Sequence, residues 1–183
     1  MSSGVKHALA QILPFAGRVR DELAGACHRI EIAGSVRRNK PDVGDLEIVA
    51  IPSFNTLGGN LLDLRLAELI REQRLLPLKG FRPPGWRYAQ FGTRAGILID
   101  LFLATPETWG VIYTVRTGSA DFSHGLFAYG NRRGITSREA RLVSLVTGKP
   151  FDTPEEHDVF NALGVRYVRP ELRFDRTAIT PAS

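Results

Sequence analysis

Hydrophobic positions in the first hundred residues follow two periods, one helical and one typical of strands. Across residues 8–24 they recur at spacings of three and four, which predicts a helix with these residues on one face: Leu9, Ile12, Leu13, Ala16, Val19 and Leu23. Pro14 lies inside the pattern, so we expect it to kink the helix or to shift its start. Residues 61–70 carry a second helical pattern.

Strands are predicted in the same part of the chain from alternating or continuous apolar runs. They cover residues 29–33, 45–51, 86–92 and 97–103. Residues 93–96 join the last two strands, which predicts a hairpin. A glycine-serine turn follows the first strand and Pro52 ends the second.

Beyond residue 104 the pattern is mostly helical. Helices are predicted over residues 105–116, 121–133 and 153–163, and a glycine follows each of the last two. Thr105 is a candidate N-cap, because Pro106 suits the first helical position. Thr153 begins a sequence typical of a capping box, with Glu156 at the third helical position.

This order of elements predicts an α+β fold. We expect a mixed or antiparallel sheet with flanking helices in residues 1–110, followed by a small, mostly helical subdomain in residues 111–175. Residues 176–183 are expected to form a flexible tail. The length of 183 residues suits one domain or one domain with a small appendage.

Composition narrows the class of protein. Apolar residues make up 43% and charged residues 23%, which is the globular range, and no apolar run approaches the ~20 residues of a membrane span. The first residues lack the pattern of a signal peptide, and Cys27 is the single cysteine, so we expect a cytoplasmic location, or the host cytoplasm for a viral protein. The net charge of +5 favours polyanionic partners, although many proteins are mildly basic.

Three acidic residues in the predicted strands are candidates for metal chemistry. Asp45 and Glu47 are two apart on one strand and therefore project to the same side. Two adjacent carboxylates repel each other unless a cation lies between them. Asp100 is the one charge in an apolar strand, where it needs a partner or a metal. If the two strands pair, the three carboxylates meet and suffice for a two-metal site. The alternative is a solvated strand face and an edge aspartate.

A possible phosphate site precedes the first acidic strand. Gly34-Ser35 can offer backbone N–H groups and a hydroxyl to phosphate oxygens. Arg37 and Arg38 follow, and guanidinium groups pair bidentately with phosphate. Phosphoryl transfer needs metal ligands beside phosphate ligands. Each element alone is common, so the prediction depends on their joint spacing to the acids.

The same motifs suggest a known family. They are Gly34-Ser35-Val36-Arg37-Arg38 with Gly44-Asp45-Leu46-Glu47-Ile48; Ile99-Asp100-Leu101 with Trp109-Gly110-Val111-Ile112-Tyr113 and Thr117-Gly118-Ser119; and the stretch from Gly148-Lys149-Pro150 to Arg169-Pro170. Together they resemble the polymerase beta-type nucleotidyltransferase superfamily, and most closely the family X DNA polymerases. The resemblance runs from about residue 8 to residue 173.

The resemblance implies a palm in residues 1–110 and a nucleotide- and DNA-binding subdomain in residues 111–175. It implies that three acids are catalytic and bind two divalent cations, Mg²⁺ or Mn²⁺: Asp45, Glu47 and Asp100, with Asp100 nearest the attacking 3′-hydroxyl. It implies that the nucleotide is bound by Gly34, Ser35, Arg37, Arg38, Thr117, Gly118 and Ser119. The expected activity is a monomeric DNA polymerase that extends primer/template or gapped DNA with nucleoside triphosphates and releases pyrophosphate, in DNA repair or gap filling.

Several positions depart from the family. Glu47 stands where aspartate is usual, so we expect more activity with Mn²⁺ than with Mg²⁺. Val115-Arg116 precedes the Thr117-Gly118-Ser119 turn where the closest polymerases carry two aromatic residues, so sugar discrimination is expected to be weak. The first motif begins at residue 34, which predicts a minimal form without the lyase and helix-hairpin-helix domains, and distributive synthesis.

Two other functions remain open at this point. One is a nucleotidyltransferase that acts on a small molecule, an RNA or a protein. The other is a weakly active module that binds DNA ends. The similarity over residues 117–170 favours a polymerase over the first of these.

Overall fold

The computed structural model describes residues 5–182, which form two compact units, residues 5–104 (unit 1) and residues 105–182 (unit 2). The helices are α1 (Leu9–Ala24), α2 (Gly34–Arg37), α3 (Leu61–Arg71), α4 (Trp109–Thr117), α5 (Ala120–Arg132) and α6 (Glu156–Leu163). The strands are β1 (His7–Ala8), β2 (Cys27–Ile32), β3 (Asp42–Val43), β4 (Leu46–Pro52), β5 (Leu76–Lys79), β6 (Tyr88–Gly92), β7 (Leu98–Leu103), β8 (Ile135–Arg138) and β9 (Arg141–Ser144). Two 3-10 turns, Pro170–Leu172 and Arg176–Ala178, follow α6.

Unit 1 is built on a five-stranded mixed sheet in the order β2-β4-β7-β6-β5. β4 and β7 run parallel, and the other neighbours in the sheet are antiparallel. Helices α1 and α3 pack their apolar faces on one side of this sheet. The main core consists of Ile12, Ala16, Leu23, Leu46, Ile48, Ala50, Leu62, Leu66, Leu69, Ala89, Phe91, Ile99 and Leu101.

Alternation along the strands separates this core from a polar sheet face. Because successive side chains point to opposite faces, the core positions of β4, β6 and β7 leave the residues between them on the other side. Those residues include Glu47, Tyr88, Gln90 and Asp100, all partly buried. We call this side of the sheet the acid face.

Unit 2 combines α4, α5 and α6 with the antiparallel β8–β9 hairpin. Its core is a separate cluster that includes Val111, Phe122, Leu126, Leu142, Val159, Phe160 and Leu163. The fold class is therefore the predicted one, a mixed sheet with flanking helices followed by a mostly helical part.

Two helix starts differ from the sequence prediction. The Thr105 hydroxyl donates to Glu107 Oε2 and its N–H donates to Thr108 Oγ1, so residues 105–108 form a turn and α4 begins at Trp109. The capping box of α6 uses Glu155 as N-cap and Asp158 at the third position instead of Thr153 and Glu156. Glu156 is buried, and an interior ion pair uses its carboxylate.

The predicted flexible tail instead packs against unit 2 through residue 182, and Ser183 lies outside the described residues. The Arg176 guanidinium and N–H donate to the Asp121 carboxylate on α5, and Gly125 leaves room for Arg176 to approach α5. Backbone hydrogen bonds join Arg166 to Thr180 and Gly164 to Ala182.

Six short elements were not predicted. They are α2 and the strands β1, β3, β5, β8 and β9. Each covers only two to four residues, and in β5 every residue is exposed, so the hydrophobic period carries little signal there. Within residues 5–182, no helix has the length and apolar character to span a bilayer.

Candidate active site

Two of the predicted acids are direct neighbours on the acid face. β4 and β7 pair in parallel with Glu47 opposite Asp100 in the register. Adjacent strands are ~4.8 Å apart and aligned residues in a parallel pair project to the same face. The pairing condition for a shared carboxylate site is therefore met for Glu47 and Asp100.

Asp45 lies one residue before β4 and is partly buried. Burial raises the pKa of its carboxyl above the usual value, the negative charge of Asp100 raises it further, and the positive charge of Arg38 lowers it. The effect of Asp100 on this pKa means that the two carboxylates interact. Asp45 thus adjoins the acid face, although it is not itself a strand residue.

Gly34 allows the Glu47 carboxylate to approach the backbone of α2. Its φ is +62°, and a Cβ at this position would lie 1.9 Å from Glu47 Oε2. The Ala33 N–H also donates to the Glu47 carbonyl oxygen at 2.8 Å. A side chain at residue 34 would displace the carboxylate, so only glycine suits both the backbone angle and this contact.

Ser35 and Arg38 bring polar groups to the same place. The Ser35 hydroxyl is buried and has no hydrogen-bond partner among the described residues. Arg38 is 9% exposed; burial lowers the pKa of its guanidinium, while the charges of Glu47 and Asp45 raise it. Arg37 is partly buried at the end of α2. Gly34 and Arg38, two of the residues predicted to hold phosphate, therefore lie close to the predicted acids.

The chemistry of this donor set suits a hard divalent cation. Carboxylate oxygens are ligands that Mg²⁺ and Mn²⁺ take in proteins, and Asp45, Glu47 and Asp100 supply three carboxylates. Yet within residues 5–182 no group of three or more His, Cys, Asp or Glu side chains stands close enough to hold a metal ion. The residue types fit a cation, and rotation of the Asp45 or Glu47 side chain would have to complete its coordination.

Two residues that the sequence did not single out contact Asp100. Tyr88 Oη donates to Asp100 Oδ1 at 2.8 Å, and Gln90 Nε2 donates to the same oxygen at 2.9 Å. Both come from β6, the antiparallel neighbour of β7. The sequence predicted the hairpin that brings β6 beside β7. It did not predict the register, which is what identifies Tyr88 and Gln90 as partners of Asp100.

The predicted turn of unit 2 is a tightly packed helix junction. Thr117 is fully buried at the end of α4. A Cβ on Gly118 would lie 2.6 Å from Ser123 Oγ. Ser119 Oγ accepts from the Phe122 N–H and donates to the Phe174 carbonyl, so it serves as the N-cap of α5. These three residues lie together within unit 2, and the Ser119 hydroxyl is occupied by contacts inside that unit.

Unit 2 also matches a known protein family. Residues 113–174 match the family model described as DNA polymerase beta thumb. The match covers about a third of the chain, includes the Thr117-Gly118-Ser119 turn, and excludes the three acids of unit 1. It supports a relationship to family X DNA polymerases and relates unit 2 to a DNA-binding part of those enzymes.

Proposed function

We propose that the protein is a metal-dependent DNA nucleotidyltransferase of the family X type. The observation that carries the proposal is the register that sets Glu47 beside Asp100, with Asp45 adjacent. In addition, the buried Ser35 hydroxyl has no hydrogen-bond partner within residues 5–182. The thumb match in unit 2 supports DNA, rather than a small molecule, as the acceptor of the nucleotide.

The proposed reaction joins the α-phosphate of a nucleoside triphosphate to a DNA 3′-hydroxyl and releases pyrophosphate. Asp45, Glu47 and Asp100 would hold two divalent cations, which supply charge neutralisation on the phosphates and activation of the hydroxyl. Asp100 would orient the attacking hydroxyl. The chain's own contribution is to set Glu47 and Asp100 side by side on one face of the sheet before substrate binds.

The phosphate cradle follows from the groups at the start of α2. The Ser35 hydroxyl and nearby backbone N–H groups would donate to triphosphate oxygens, and Arg37 and Arg38 would supply positive charge. A bound triphosphate would give a hydrogen-bond partner to the buried Ser35 hydroxyl, which finds none in the described part of the chain. Thr117, Gly118 and Ser119 would shape the nucleotide side of unit 2 through packing, because Ser119 already caps α5.

A second candidate is a module that binds DNA ends without efficient catalysis. It is favoured by the thumb match, which lies outside the acids, and by the absence of an assembled three-ligand cluster among residues 5–182. Such a module would keep DNA affinity when the acids are removed.

The test is primer extension on gapped, blunt and single-stranded DNA with Mg²⁺ or Mn²⁺, together with measurement of pyrophosphate. We expect the wild type to incorporate nucleotides and Asp100→Ala and Asp45→Asn to lose at least ~1,000-fold in rate, as expected when transition-state charge stabilisation is removed. Asp42→Ala is the matched control, because Asp42 is an exposed acid three residues before Asp45.

Two outcomes would overturn the proposal. One is a wild type that incorporates nothing on any of the three substrates with either cation yet binds DNA ends, which would establish the second candidate. The other is an equal loss in Asp42→Ala and Asp100→Ala. The ratio of the Mn²⁺ and Mg²⁺ rates in the same assay also tests the metal preference expected from Glu47.

A further inference from the structure

The Asp100 carboxylate is held by two hydrogen-bond donors from the neighbouring strand. Gln90 lies directly opposite Asp100 in the β6–β7 register. Tyr88 precedes Gln90 by two residues on β6 and lies on the same face. Their donor atoms lie 2.9 Å and 2.8 Å from Asp100 Oδ1. An ionised carboxylate only accepts hydrogen bonds, so both contacts stabilise the charged form.

The Tyr88 ring has two neighbouring side chains besides Asp100 and Gln90. The ring stacks on Phe102, its cross-strand partner, with centroids 4.9 Å apart and planes inclined by 26°. Lys79 Nζ lies 5.7 Å from the centroid of the same ring. The Tyr88 hydroxyl therefore contacts Asp100, which lies two residues from Phe102 on β7, by a diagonal contact across the β6–β7 pair.

Both donors end on one oxygen, and this makes the two oxygens of Asp100 unequal. A carboxylate oxygen has two lone pairs in its plane, and the two hydrogen bonds occupy those of Oδ1. Rotation about the side-chain bond would break both contacts. Oδ2 is thus the oxygen that Asp100 can offer to a cation or to a hydroxyl.

We propose that Tyr88 and Gln90 are positioning residues that lock Asp100 so that Oδ2 faces the reacting atoms; this inference rests on the proposed nucleotidyltransferase activity. Neither residue touches substrate. They act through Asp100, as hydrogen-bonded partners of metal-ligating carboxylates do elsewhere. They also disperse negative charge next to Glu47 and Asp45, which reduces the repulsion among the three acids.

The test uses Tyr88→Phe, Gln90→Leu and the double variant in the full-length protein. Tyr88→Phe keeps the ring that stacks on Phe102 and removes only the donor, which protects the fold. Gln11→Leu, at an exposed position of α1, and Tyr129→Phe, in unit 2, are matched controls for the two chemical changes.

Mn²⁺ binding to the protein without DNA or nucleotide is measured by electron paramagnetic resonance, and kcat and KM by primer extension. We expect the double variant to bind Mn²⁺ roughly 10–100-fold more weakly and to lose a similar factor in kcat, with KM for the nucleotide unchanged. The single variants should lie between it and the wild type. The melting temperature without metal should match that of the controls.

The inference is overturned if Asp100→Ala is inactive while the double variant binds Mn²⁺ and turns over like the wild type. It is also overturned if KM alone rises, or if Tyr88→Phe loses activity only in proportion to unfolded protein. If the wild type neither binds Mn²⁺ nor incorporates nucleotides, the proposed function fails first and the positioning role fails with it.

Discussion

The buried charge of unit 2 lies next to an opposite charge, whereas the partly buried charges on the acid face of unit 1 lie next to like charges. Arg173 in unit 2 is fully buried, yet its guanidinium lies 2.5 Å from Glu156 Oε1 and its Nε donates to the Val168 carbonyl. The rings of Phe160 and Tyr167 flank the same cation, with centroids 5.0 and 5.3 Å away. The positive charge thus has an opposite charge, a carbonyl and aromatic faces around it.

The acid face of unit 1 places like charges beside one another. Asp45 carries a raised pKa from burial and from the charge of Asp100, and Gly34 accepts a left-handed backbone so that Glu47 can approach. Such arrangements lower stability and cluster at functional sites. The difference teaches that the buried ion pair of unit 2 serves its fold, whereas the acids of unit 1 fit a role that begins when a ligand binds.

The largest expected effect concerns the buried ion pair of unit 2. Arg173→Met should destabilise unit 2 by about 3–5 kcal/mol, because it removes the guanidinium that lies against the buried Glu156 carboxylate. The chain has two tryptophans, Trp86 in unit 1 and Trp109 in unit 2. Urea unfolding followed by Trp109 fluorescence in a Trp86→Phe background therefore reports on unit 2.

Adding Glu156→Gln to Arg173→Met should recover part of the lost stability, since the buried charge disappears. If the single and double variants unfold at the same urea concentration, the ion pair does not balance the charge as described. A midpoint equal to that of the parent would mean that Arg173 contributes nothing measurable to unit 2.

Gly34→Ala tests whether the close approach of Glu47 to residue 34 in unit 1 matters for activity. The left-handed backbone is unfavourable by ~1–2 kcal/mol for a residue with a Cβ, and the Cβ would also displace the Glu47 carboxylate. We expect primer extension to fall by roughly 100-fold. Gly17→Ala is the matched control, because a Cβ at Gly17 meets nothing within 4 Å and alanine favours the α1 helix. Equal activity of the two variants would show that the approach of Glu47 to residue 34 is irrelevant to turnover.

The smallest of these effects is expected in the stability of Asp45→Asn, which should rise slightly although the variant loses activity. A carboxyl whose folded pKa is raised takes up a proton on folding, so its contribution to stability falls as the pH rises from the unfolded value through the folded one. Above that window, without metal, removing the charge should stabilise by less than about 1 kcal/mol, or roughly 2–4 °C at most in melting temperature. At low pH the variant and the wild type should melt together. A lower melting temperature for the variant at neutral pH would contradict the proposed repulsion.

The strand periods were sufficient to predict much of unit 1. Alternation placed Glu47 on a strand, the lone charge in an apolar run marked Asp100, and both strands form nearly where predicted. The sequence could state their pairing only as a condition, because strand neighbours are chosen by tertiary packing rather than by local pattern. The parallel register meets that condition.

The hydrogen-bond partners of Asp100 could not be predicted, because the loop of the hairpin is one residue longer than the sequence pattern indicates. A hairpin with a loop at residues 93–96 would align Gly92 with Ile97 and place Ala89 opposite Asp100. The Thr93 hydroxyl accepts from the Ile97 N–H, which lengthens the loop by one residue and aligns Gly92 with Leu98. A slip of one position exchanges the two faces of a strand, so Gln90 replaces Ala89 opposite the carboxylate.

The ion pair of unit 2 was hidden for a different reason. Glu156 was predicted to cap a helix, and Arg173 belongs to a segment with no regular period. Their contact joins residues 17 positions apart through the interior, which hydrophobic period cannot detect. Long charged residues are rarely buried, so the default expectation for both was the surface.

The parallel pairing of β4 with β7 also predicts which contacts of Asp100 form first during folding. Gln90 and Asp100 are only 10 residues apart and meet through a hairpin, a local structure that closes in microseconds. Glu47 and Asp100 are about fifty residues apart, and parallel strands require the whole crossover between them to fold back. We therefore expect Asp100 to acquire its β6 contacts before its carboxylate meets that of Glu47.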